Sequence, residues 1–158
     1  MANTQSMTTS FMGELMTATH NFGTAPIRAA TTADTFKAAL YLTSATVNAA
    51  TTAYSATGEV SGTGYSAGGV TVTNATAPTA TNSSSTAGVA YWTPSASITY
   101  TTVTLTTAFD AVLIYNSTQS NKAVSVHTFG SQTITAGTFT LTMPSNTTTT
   151  ALLRLSTT

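Results

Sequence analysis

The chain has no cysteine among its 158 residues, which excludes disulfides, thiolate metal sites and thiol nucleophiles. Charge is nearly as scarce. Four basic and four acidic side chains make 5% of the sequence and leave a formal net charge of zero, where a soluble domain carries roughly a quarter charged residues. The cations Arg28, Lys37, Lys122 and Arg154 are scattered. A nucleic-acid surface needs clustered cations to displace counterions from phosphates, so no nucleic-acid partner is expected. Apolar runs are short. None approaches the ~20 residues of a membrane-spanning helix, so no membrane partner is expected. Met1–Ser10 shows no basic region followed by an apolar run, and no signal peptide is expected. The sequons at Asn74, Asn82, Asn116 and Asn146 then read as products of a Thr- and Ser-rich composition.

What is present is threonine, about a quarter of the sequence, within a chain that is 41% hydrophobic. Threonine is β-branched, packs with its methyl and hydrogen-bonds with its hydroxyl. That composition supports a folded, strand-rich domain and argues against disorder, which is rich in Pro, Glu and Lys. A length of 158 residues suits one domain. A neutral, sparsely charged protein self-associates readily, so its surface points to an assembly rather than to a free enzyme.

The spacing predicts one short N-terminal helix over residues 10–22, behind an arm at 1–9. Phe11, Leu15 and Ala18 share a stripe with Met12 and Met16 beside it, Thr9 or Ser10 caps the start, Glu14 favours the early turns and Gly23 ends it. From Asp34 the period becomes two. Phe36, Ala38, Leu40 and Leu42 form one face, Lys37, Ala39 and Tyr41 the other, which predicts a strand with one well-buried side. Residues 43–69 form a long loop whose Gly62, Gly64, Gly68 and Gly69 allow tight turns. Val70–Asn74 reads as a short strand and residues 75–88 as a second long loop.

Ile98–Thr106 alternates, with a register adjustment near Val103–Leu105, and Asp110–Asn116 is apolar on both faces, as in a central strand. Asn116–Asn121 is a turn, and Ala123–Phe129 returns as a hairpin. Ile134–Met143 alternates again, with a break near Ala136–Gly137, and Pro144 ends it. Residues 145–158 form a C-terminal arm or a last strand. The expected fold is therefore all-β, with residues 10–144 a single antiparallel β-sandwich domain of jelly-roll-like form.

The residues offer little chemistry. Glu14, Asp34, Glu59 and Asp110 are the only acids, and each has a structural reading as helix charge, cap, loop residue or strand entry. No pair is arranged for acid–base work. His20 and His127 are the only imidazoles. His20 suits a helix end and His127 a strand edge, so neither metal nor cofactor is expected. No Gly-x-Ser-x-Gly elbow is present. The stretch Gly62–Gly68 lacks the spacing and following helix of a phosphate loop. Glu59, alone in a glycine-rich loop, is expected to pin that loop through Lys37 or through backbone amides, or else to be a solvated carboxylate. Tyr54, Tyr65, Tyr91, Trp92, Tyr100 and Tyr115 are large amphipathic groups of the kind enriched at interfaces. Of these, Tyr54, Tyr65, Tyr91, Trp92 and Tyr115, together with His127, are the interface candidates. A glycan platform is the rival use of such a row, but the carboxylates and amides that sugar sites add are sparse.

The helix over Ser10–Phe22, then Asp34-Thr-Phe-Lys-Ala-Ala-Leu-Tyr41, Ala53–Gly69, Ala111-Val-Leu-Ile-Tyr-Asn116 and Thr133–Pro144, in that order, resemble a family of small tailed-bacteriophage virion structural proteins of the capsid decoration or cement type. The resemblance covers most of residues 10–144; the Thr-rich stretch Asn146–Thr150 departs from it. It implies a non-enzymatic protein on the outer surface of the virion. Its partners would be the major capsid protein and further copies of itself in a symmetric dimer or trimer. Alternatives are a neck, tail or fibre-base component, and a carbohydrate-binding or adhesin module.

Overall fold

The computed structural model describes residues 3–16, 19, 20, 22, 33–74, 77–81 and 88–156. They form an all-β protein with two antiparallel sheets, the arrangement of a β-sandwich. In chain order the elements are β1 (Ser6–Met7), α1 (Thr9–Met16), β2 (Phe36–Leu42), β3 (Val70–Thr71), β4 (Thr79–Ala80), β5 (Val89–Trp92), β6 (Ile98–Asn116), β7 (Lys122–Leu141) and β8 (Leu153–Ser156). The larger sheet has the order β1-β7-β6-β2-β3 and the smaller one β4-β5-β8.

The N-terminal arm is not loose. Thr4 donates to the Val47 carbonyl, Asn3 bonds Asp110, Leu42 and Val47, and Ser6–Met7 pairs with Val126 and Ser125. The helix is shorter than the periodicity suggests. It ends at Met16, and Thr19, His20 and Phe22 are not helical. Ala18 and Gly23 lie outside the described residues. Beyond the helix, His20 turns into the core and meets Asn116.

Strand β2 is buried on both faces, where one buried side was expected. Phe36, Ala38 and Leu40 enter one apolar cluster and Ala39 and Tyr41 another. The second face is covered by the long loop 43–69, which lays Ala45, Val47 and Tyr54 against it. On the first face sit Phe11 of α1 and Trp92 of the smaller sheet, with Phe22 stacked on Phe36 at 4.4 Å. The larger sheet is thus the middle layer.

The four strands expected between Ile98 and Met143 are two. β6 and β7 run unbroken through several register shifts. Thr102 and Ala136 take φ of +54° and +47°, the left-handed conformation that L-residues rarely adopt. Such bulges absorb an extra residue without ending the strand. The Ala136 amide finds the Thr104 hydroxyl at 3.0 Å as a substitute for a ladder partner. The Gly-rich loop crosses β6 at this irregularity, bridging Thr63 to Thr104. A Cβ on Gly62 would collide with the Thr104 carbonyl, so glycine is required there.

Of the expected strand Val70–Asn74, Val70–Thr71 forms β3 opposite Ala38 and Lys37, and the Val72 amide donates to the Phe36 carbonyl at 2.8 Å. Within the expected loop 75–88, residues 79–80 form β4; residues 75–76 and 82–87 lie outside the described part. The C-terminal segment is a strand, β8, paired with β5 from Trp92↔Leu153 to Val89↔Ser156.

Candidate functional site

Five tyrosines converge around Glu59. The Tyr54 hydroxyl donates to Glu59 Oε2 at 2.6 Å, and the Tyr65 hydroxyl and the Gly68 amide donate to Oε1 at 2.7 Å each. The Tyr65 oxygen also accepts the Leu40 amide at 3.0 Å. Tyr115 and Tyr100 send their hydroxyls to the carbonyls of Gly68 and Ala38, both at 2.8 Å, and Tyr41 reaches Ser55. Tyr54 stacks on Tyr115 at 4.7 Å and Tyr65 on Tyr100 at 5.9 Å. Glu59 therefore does hold its loop, through phenols and a backbone amide. Lys37 is not one of its bonding partners.

Each of these phenols is pushed above its usual range, first by burial. Tyr41 is raised to about 12, and for Tyr54 and Tyr65 the bond to the Glu59 carboxylate adds to the effect. Tyr100 and Tyr115 are raised by burial and by the field of Glu59. A phenolate beside a carboxylate would repel it, so the cluster is held in the neutral, donating form. It locks a loop and presents no free acid or base.

A second polar cluster joins α1 to the β6–β7 turn. Buried His20 bonds Glu14 Oε2 through Nε2 at 2.7 Å and Asn116 Nδ2 through Nδ1 at 3.0 Å. Asn116 Nδ2 also donates to Asp34 at 2.8 Å, while its Oδ1 accepts the amides of Thr118 and Gln119. Lys122 Nζ reaches Glu14 Oε1 at 2.6 Å. An amide nitrogen can only donate, so His20 Nδ1 must accept and the proton sits on Nε2. Burial lowers the His20 pKa against the pull of Glu14. Burial opposes the charge on Glu14, but the hydrogen bonds from Lys122 and His20 outweigh it and hold its pKa down. Sequence reasoning missed this cluster. Asn116, Asp34 and Gln119 carried no signal beyond a turn, because their roles depend on contacts far apart in the chain.

The interface candidates separate. Trp92 and Tyr115 are core residues, 2% exposed each. Their size called for an apolar site, and the protein's own core supplies it. Tyr54 and Tyr65 are half-buried with their hydroxyls taken by Glu59. Trp92 and Tyr115 are therefore corrected from surface anchors to interior residues, while Tyr54 and Tyr65 keep part of their rings at the surface. Tyr91 and His127 remain partly open. His127 Nε2 lies 2.9 Å from the Ser125 hydroxyl, and burial pushes its pKa down to about 4.

Two surface features remain. An apolar groove of about 80 Å³ runs between α1 and the smaller sheet, lined by Met7, Phe11, Leu15, Trp92, Leu153 and Leu155, among others. The outer half of β7, Phe129–Leu141, pairs with β6 on one side only, since β1 covers β7 at Ser125 and Val126 alone. Among the described residues there is no group of three or more metal-ligating side chains, and no helix is long and apolar enough to cross a membrane. No family model, curated protein or solved structure matches the chain.

Proposed function

We propose that this chain is a bacteriophage virion structural protein that decorates or cements the capsid from its outer surface by bridging subunits of the major capsid protein. The observation that carries the reading is the pairing of a near-absence of charge with a long strand edge that has no backbone partner among the described residues. Such an edge is a template for another polypeptide. The resemblance of residues 10–144 to small tailed-phage virion proteins supplies the particle. The role is cohesive, without catalysis, cofactor or metal: each copy adds buried area between shell subunits and opposes the pressure of packaged DNA. Part of the same proposal is a jelly-roll-like winding of the two sheets, for which an interleaved strand order in an experimental structure is the test.

The experiment is quantitative protein composition of purified virions. The reading expects the chain at a copy number on the scale of the major capsid protein. A few copies per particle would move it to a neck, tail or fibre-base position, and absence from virions would remove the reading. With so few charges at any contact, retention on particles should depend weakly on salt. Glycan binding by the isolated protein without particle association would favour an adhesin.

A further inference from the structure

The outer half of β7 is built as an unprotected edge. Over Phe129–Leu141 its far side carries no backbone pairing from the described residues, and Ser131, Gln132, Thr133, Thr135, Thr138 and Thr140 are exposed. At about 3.3 Å per residue this edge is roughly 40 Å long. Proteins that stay monomeric guard such edges with lysines, prolines or inward-pointing charges. Here there is none: no charged residue occurs between Lys122 and Arg154, and the first proline after Lys122 is Pro144. Its ladder with β6 shifts register at several points, between Gln132 and Thr128 and around Ala136 among them, yet Phe129–Thr135 stays strand throughout.

A second observation concerns the side chains. Phe129, Ile134, Phe139 and Leu141 pack on the core yet remain only half-buried. Phe129 and Phe139 lie 5.1 Å apart, and each meets Phe109 edge-on. A strand laid beside β7 would cover the solvent side of these rings while completing the ladder.

We propose that the occupant of this edge is β7 of a second copy of the chain, paired antiparallel about a two-fold axis within Phe129–Thr135. The edge has no charge with which to select a partner of opposite sign, and the chain has no net charge with which to repel its own copies. Two identical strands run antiparallel are self-complementary, so the contact closes at two copies and buries both edges. Threonines opposite threonines across such a pair contribute packing and hydroxyl bonds on the exposed face. The inference uses the same strand edge as the virion reading and assigns it a second copy of the chain; the mass of the isolated chain tests it separately from the composition of virions.

The test is the mass in solution of the full chain, by sedimentation and light scattering, with Thr133→Lys and Thr133→Glu. Wild type should sediment as a dimer. Each variant places like charges close together across the axis and should weaken dimerisation by at least about tenfold. An equimolar mixture of the two should restore a dimer containing one copy of each. Should either variant lose cooperative unfolding, Ser131→Lys and Ser131→Glu repeat the pair at a neighbouring exposed position. A wild-type chain that is monomeric to its solubility limit, a trimer, or variants that dimerise as tightly as wild type would overturn the proposal.

Discussion

The Glu59 carboxylate and the Tyr65 hydroxyl meet at 2.7 Å, and the same hydroxyl accepts the Leu40 amide. A loop acid is thereby wired through one phenol to the middle of strand β2. Removing the acid strands three donors at once: Tyr54, Tyr65 and the Gly68 amide. Hydrogen bonds to a charged group are worth about 1.5–3 kcal/mol each and are not additive, so Glu59→Ala should cost about 3 kcal/mol in denaturant unfolding. Glu59→Gln keeps an acceptor oxygen and should cost less. Equal stability of Glu59→Ala and wild type would show that the loop is held by packing alone.

Alkali should reveal the same cluster. A phenol whose folded pKa lies above its unfolded value binds its proton more tightly when folded. The stability it contributes is complete below the unfolded pKa and is lost as pH rises through the folded one. Tyr41, raised by burial to about 12, sets that window. Phenolate absorbance should therefore rise late and together with unfolding, for most of the six tyrosines. Independent titration of Tyr54 and Tyr65 in the folded protein, ahead of any loss of structure, would contradict the bonding described.

How much of this was legible beforehand depended on how local each signal was. The alternation of Phe36–Leu42, the turn at Asn116–Asn121 and the stop before Pro144 are local, and they read correctly as element boundaries. The continuity of β6 and β7 was hidden, because register shifts opposite Phe109 and Gln132 break the period of two in the gaps 107–109 and 130–133 between the expected strands. The second buried face of β2 was hidden as well, since what covers it is a loop of small polar residues. Trp92 and Tyr115 read as surface anchors because such rings are amphipathic and their sequence neighbours do not reveal their partners. Glu59 drew notice by its isolation, and the amide half of the expected pinning is present, while the lysine half is not.

Acid should act through His127. Burial holds its pKa at about 4, below the ordinary imidazole value of about 6.5. A depressed histidine takes up its proton more readily when unfolded. Its contribution is therefore present above pH 6.5 and is lost as pH falls toward about 4. A shift of this size corresponds to at most about 3 kcal/mol. His127→Gln should flatten the decline of stability over this interval, although His20, also depressed by burial, leaves part of it in place. An NMR titration of the His127 ring with a midpoint near the ordinary value would refute the burial assigned to it.

Trp92 distinguishes a core role from a contact role most directly. Its ring packs on Phe22 at 4.7 Å and near Phe36 at 6.2 Å, and its indole N–H donates to Asn74 at 3.0 Å. It sits at the end of β5, paired with Leu153 of β8, so it fastens the smaller sheet to the larger one. Truncating a buried aromatic costs about 3–5 kcal/mol, and Trp92→Ala should lose stability on that scale. Amide exchange in β5 and β8 should accelerate well before that in β6 and β7, because the smaller sheet loses its main anchor while the long hairpin keeps its ladder. A surface anchor would behave in the opposite way, with full stability in the isolated chain and loss only of self-association. If Trp92→Ala unfolds like wild type but no longer associates, the ring belongs to an interface and the packing of the two sheets must be redrawn.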